Sequence, residues 1–114
     1  WFGHAESAPA FDLIFCANML HITPWEAGLA LLRGSARHLA PGGKLVTYGP
    51  YFEDGVPSAP TNAAFDQSLR EQNPSWGIRL REDVEQAATR VGLCLHARHA
   101  MPANNLLLVW ALAG

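Results

Sequence analysis

FDLIFCANMLHITPWEAG, residues 11–28, opens on a nearly continuous apolar run. Phe11, Leu13, Ile14 and Phe15 within residues 11–19 suit a strand covered on both faces. The run then delivers an amide and an imidazole, Asn18 and His21, before any turn signal. Thr23-Pro24-Trp25-Glu26 follows and predicts a helix start. Thr23 is the expected N-cap, Pro24 the first helical residue and Glu26 the partner that closes a capping box. Trp25, Leu29, Leu32, Ala36 and Leu39 then recur at steps of four and three, an apolar stripe along one helix face. Pro41-Gly42-Gly43 is expected to end that helix.

Working outward, Lys44 to Tyr48 reads as a second short strand, stopped by Gly49-Pro50. Residues 52–60 carry Gly55, Pro57 and Pro60 and read as loop. Asn62 to Glu71 predicts a short helix, with Phe65 and Leu69 one turn apart and Asp66 placed to pair with Arg70. Glu82 to Val91 predicts another, acidic at its start and closed by Gly92. Leu93, Leu95 and Ala97 alternate with Cys94, His96 and Arg98, the pattern of an edge strand with one wetter face. Leu106 to Leu112 is apolar throughout and should be central, joined to its predecessor by the short connection Met101–Asn105. A strand-helix-strand start implies a right-handed parallel crossover, and the closing pair must be antiparallel. The result is a mixed α/β sheet.

The 114 residues fit a single domain. At 49% hydrophobic and 16% charged, the chain is expected to fold around a real core. A net charge of −2, with Lys44 the only lysine, gives no electrostatic case for nucleic acid or an anionic membrane. No apolar run is long enough to span a bilayer, and the start has no signal-peptide layout. Cys16 and Cys94 lie in strand-like segments and read as buried free thiols, which places the chain in the cytoplasm. The first residue is Trp1, so the chain reads as a piece of something longer. His4, His38, His96 and His99 show no spacing with Cys or carboxylates that builds a metal site, and no serine elbow or paired carboxylate is present.

The order of elements resembles the carboxyl-terminal half of a Rossmann-like class I S-adenosylmethionine-dependent methyltransferase, with about four strands. The segments CANMLHITPWEA, LVTYGPY, NAAFDQSLR, WGIR and MPANNLLLVW together resemble the methyltransferase-like protein 26 family, from about Phe11 to Trp110. The resemblance implies S-adenosylmethionine as cofactor and a final strand inserted between its partner and the parallel strands. In that order Cys16 and Cys94 lie three strand spacings apart, about 14 Å, against the roughly 7 Å that a disulfide allows. It also implies half a domain before Phe11, carrying the glycine-rich cofactor turn. No G-x-G-x-x-G stands in this chain, and Gly42-Gly43 and Gly49 are isolated. Residues 1–10 then read as the remnant of a preceding loop and 52–79 as an insertion over the acceptor side.

In open α/β sheets, ligands lie at the carboxyl ends of the parallel strands. By resemblance, Ala17, Asn18 and Met19 are the cofactor-facing candidates and His21 the candidate base, with an imidazole pKa near working pH. Asn18 capping a turn, and His21 satisfying a carbonyl beside the helix, are the structural alternatives. The acceptor-side candidates are Tyr48, Tyr51, Asn62, Phe65, Asp66, Trp76 and Arg79. Here an aromatic ring and an Arg could hold a planar or anionic substrate. Alternatively, Phe65 and Trp76 pack the short helix and Arg79 pairs with Asp66. Asn104-Asn105 is expected to satisfy turn backbone. Methyl transfer to an unidentified small acceptor is the expected function of the parent. The other possibility is a non-catalytic module that dimerises, or takes up a missing amino-terminal half, through the strand at 11–19.

Overall fold

The computed structural model describes residues 10–113. Strand β1 (Phe11–Ala17) pairs in parallel with β2 (Leu39–Phe52), and helix α1 (Trp25–His38) makes the crossover between them. Then come α2 (Pro60–Gln72), the two-residue β3 (Arg79–Leu80), α3 (Arg81–Arg90), β4 (Leu93–Met101) and β5 (Asn105–Leu112). The spatial order is β1-β2-β5-β4, with β3 paired to the end of β2. β5 is thus inserted between its hairpin partner and the parallel pair, and β3 is one strand more than the expected four.

The register sets Ile14, Leu45, Trp110 and Leu95 in one row across four strands. Leu45 and Trp110 are wholly buried there, joined by Leu32 of α1 and by Val84 and Ala88 of α3. Apolar area removed from water on this face is the main stabilising term. Thr47 sits within it and satisfies two buried donors. The Trp110 indole N–H and the Tyr51 hydroxyl each donate to its Oγ1 at 3.0 Å. The opposite face of β1 is different. Leu13 and Phe15 are each 60% exposed, so the strand is covered on one face and not on two. The apolar run does not distinguish these cases, because it records composition and not which layer lies above it.

Four local expectations need correction. Thr23 does not cap α1; its hydroxyl donates to the Met19 carbonyl at 3.1 Å, and Pro24 occupies the N-cap with no side-chain cap bond. The helix ends at His38, because Leu39 is already extended and begins β2. Phe11 stands opposite Leu39 and Leu13 opposite Lys44, so Pro41-Gly42-Gly43 belongs to a bulge within β2. That strand also continues through Gly49-Pro50 to Phe52. In β4 the alternation breaks at His96: Leu95 faces Trp110, but Ala97 faces Val109. The extra residue turns Arg98 to the side of Leu108, where its Nε donates to Glu53 Oε2 at 2.8 Å. The cysteines are free thiols but not buried as expected: Cys16 is half-buried and Cys94 lies on the exposed side of β4. No described helix is long and apolar enough to cross a membrane. The expectations for His4 and the loop at residues 1–9 lie outside the described residues.

Candidate functional site at the rim of the parallel strands

β1 and β2 end side by side, and their carboxyl ends form one rim. The exit from β1 is made by Asn18, whose φ of 55° is left-handed, a conformation that asparagine tolerates better than most residues. Its backbone N–H donates to the Tyr48 carbonyl at 2.8 Å, which pins the exit to β2. The chain then coils into a single 3-10 turn, Leu20–Ile22, and His21 is carried in it. The His21 carbonyl accepts the Gly77 N–H at 3.0 Å, so the turn is tied to the segment after α2.

The imidazole of His21 is only 6% exposed. It lies beside Gly49 of β2: a Cβ added there would stand 3.6 Å from His21 Cε1 and 3.5 Å from Asn18 Oδ1. On the other side the Phe65 ring of α2 meets it edge-on, with centroids 5.6 Å apart and planes at 62°. An open cavity of about 630 Å³ lies in front of it, lined by Asn18, His21, Asn62, Phe65, Asn104 and Asn105 among others. Among the described residues neither the Asn18 amide nor the His21 imidazole has a hydrogen-bond partner. Burial lowers the His21 pKa below its ordinary value, and the nearby Arg79 guanidinium lowers it further. The imidazole is therefore neutral near pH 7 and free to accept a proton.

The structure thus gathers Asn18, His21, Asn62 and Phe65 from the sequence candidates. Asn62 is held by donating its amide to the Asn104 carbonyl at 3.1 Å. Ala17 ends β1 opposite Tyr48, and the Tyr48 hydroxyl accepts from Asn105 Nδ2 at 3.2 Å. Met19 turns back against the core, its sulfur 3.5 Å from the Cys16 thiol. Tyr51 is not at the rim: it is buried, bonded to Thr47, and its pKa is pushed up to about 12 by burial. Trp76 is half-buried in the turn after α2, apart from the cavity, its backbone N–H donating to the Asn73 carbonyl at 2.9 Å. Asp66 accepts from Arg70 at 3.0 Å, as the spacing predicted, and from the Ile78 N–H at 2.8 Å. Arg79 does not pair with it. The Arg79 guanidinium donates to the carbonyls of Thr23 and Ser75 at 2.8 Å and of Leu20 at 3.2 Å, and lies 5.6 Å from the Trp25 ring centroid.

Asn104 and Asn105 do serve the turn, since Asn105 Nδ2 also reaches the Pro102 carbonyl at 3.5 Å. They line the cavity as well, with Thr61 and Pro50, which sequence reasoning missed. The readable signal was Asn104-Asn105 next to a strand start; nothing in the sequence marks Thr61. A smaller cavity of about 210 Å³ lies beside Glu53 and Arg98, whose charges are paired with each other. Among the described residues, no three His, Cys, Asp or Glu side chains are grouped to hold a metal ion.

Solved structures with the same fold are similar over nearly the whole chain. The mitomycin 7-O-methyltransferase MmcR matches at TM-score 0.79 and 19% identity, over 96% of this chain and 32% of its own. CalO1, a methyltransferase of calicheamicin biosynthesis in its S-adenosylhomocysteine-bound form, matches at 0.78 and 17%, over 96% and 32%. LepI in complex with S-adenosylmethionine matches at 0.78 and 18%, over 98% and 29%. The chain spans about a third of the length of these proteins, and the fold is that of a class I methyltransferase's carboxyl-terminal portion. The family profile described as "Protein of unknown function (DUF938)" matches residues 1–112, and the chain belongs to that family.

Proposed function

We propose that this rim is the acceptor side of an S-adenosylmethionine-dependent methyl-transfer site, with His21 as the base. One observation carries the reading: a buried, neutral imidazole with no hydrogen-bond partner among the described residues faces a cavity at the carboxyl ends of two parallel strands. The shared fold and the resemblance to methyltransferase-like protein 26 support it. The residues present fit one side of the cofactor. Ala17 and Asn18 offer a neutral surface with an unbonded amide, and Met19 backs it from the core.

The cofactor, when bound, supplies an electrophilic methyl group. The acceptor is a small molecule held between Phe65 and the asparagines, with residues 52–79 covering it. His21 takes the acceptor's proton, and alignment of acceptor and methyl carbon supplies most of the remaining advantage. Free thiols at Cys16 and Cys94 suit a reducing compartment, the cytoplasm.

The test is labelled methyl transfer by the longest natural polypeptide that contains this chain, measured against pH. His21 must be unprotonated, so the rate should fall only as pH drops through a pKa below that of a free imidazole. His21→Ala should lower turnover roughly 100-fold or more, and S-adenosylhomocysteine affinity should stay within about threefold. Full turnover in that variant would remove His21 from the chemistry.

A second reading rests on β1. It lies at the end of the sheet order, with Leu13 and Phe15 exposed on its open face. Such an edge takes a further strand, from a second copy or from a separate amino-terminal half. Sedimentation of this chain should then show a concentration-dependent mass above the monomer, abolished by Phe15→Glu. A monomer at every concentration would sink pairing between copies.

A further inference from the structure

We propose that Arg79 is the positioning residue of this rim, a staple that holds the turn carrying His21 against the segment after α2. The inference rests on reading His21 as the base. The turn Leu20–Ile22 is three residues long and has no side-chain cap of its own. A loop this short does not fix an imidazole to catalytic tolerance unless something external holds it.

Arg79 provides the hold, because its planar fork reaches three carbonyls at once. Nε takes Leu20 O just before His21, and Nη2 takes Thr23 O just after it together with Ser75 O across the gap. The Gly77 N–H on His21 O is a fourth tie between the same two segments. The guanidinium also lies against the Trp25 ring at the start of α1. Lysine could not reproduce this, since it has one nitrogen and no fork. A backbone so placed leaves the His21 ring between Gly49 and Phe65, where it faces the cavity.

Arg79 acts on the proton as well as on the position. Charged groups approach the rim from every side: Asp66 and Arg70 on α2, Glu26 on α1, and Arg79 itself on β3. The first two neutralise each other as an ion pair. Arg79 is the one whose charge bears on His21, in the direction that keeps the imidazole neutral. The three carbonyls take the Nε hydrogen and both Nη2 hydrogens, which commits that edge of the fork to holding the backbone.

Two substitutions in this chain separate position from charge, read by proton NMR of the His21 ring, which His21→Gln identifies. Arg79→Gln should raise the His21 titration midpoint toward that of a free imidazole and erase the ring-to-ring contact with Phe65. Arg79→Lys keeps the charge but not the fork, so the Phe65 contact should be lost while the midpoint rises less than in Arg79→Gln. If Arg79→Gln does not fold, Arg79→Lys alone decides the positioning claim. Turnover in the longest natural polypeptide should fall roughly 10- to 100-fold in either variant, with the KM for methyl donor unchanged. An intact Phe65 contact in both variants overturns the proposal. If no methyl transfer is found at all, the functional reading fails and the NMR result still decides the staple.

Discussion

Thr47 carries more of the core than its size suggests. Its side-chain oxygen is the shared acceptor for the Trp110 indole and the Tyr51 phenol, and all three groups are buried. Thr47→Val keeps the shape and leaves two donors without a partner. Each costs about 1–3 kcal/mol, so the variant should lose a large part of its stability to urea, and a midpoint within error of the parent would contradict the pairing. This residue also explains why the rim was only half legible. Asn18 and His21 stood out because they interrupt an apolar run. Tyr51 did not reveal its inward turn, and Arg79 did not reveal its carbonyl partners, because residue type does not say where a side chain points. Two of the three carbonyls, Leu20 and Thr23, come from residues distant in sequence, and only the folded chain brings them to Arg79.

At the scale of elements, the bulge before Lys44 is the feature that separates pattern from structure. Pro41-Gly42-Gly43 carries the punctuation of a helix end, and α1 does stop just before it. What the sequence conceals is that the backbone is already paired with β1 on both sides of the interruption. Gly43 shows why. A Cβ there would stand 2.7 Å from the Phe11 carbonyl oxygen and 2.9 Å from that of Ala40, both backbone atoms that cannot swing away. Gly43→Ala should cost about 1–3 kcal/mol by overpacking, seen as a lower thermal midpoint with unchanged helical signal; parental stability would mean that the close approach is absent. The central place of β5 and the antiparallel closing hairpin were legible from apolar run length and hairpin length, while the full order β1-β2-β5-β4 was what the family resemblance implied. The bulge at His96 was not, because one extra residue leaves hydrophobic alternation nearly intact while turning Arg98 toward Glu53. Nor was β3, where two residues are too few to carry a period.

Across the whole molecule, one face of the sheet carries α1 and α3 and the other leaves β1 with two large exposed side chains. The chain matches nearly its full length to about a third of each of these solved structures. The rim presents the His21 imidazole and the Asn18 amide to an open cavity. On the proposed reading, the cofactor lies across the ends of β1 and β2, against Asn18. The most direct measurement is amide and imidazole NMR of the longest natural polypeptide that contains this chain, titrated with S-adenosylhomocysteine. Saturable shifts at the Asn18 amide and the His21 ring, with one site per chain, are the expected result. Tight binding that leaves both signals unmoved, or no binding at millimolar ligand, would contradict the assignment of this rim to methyl transfer.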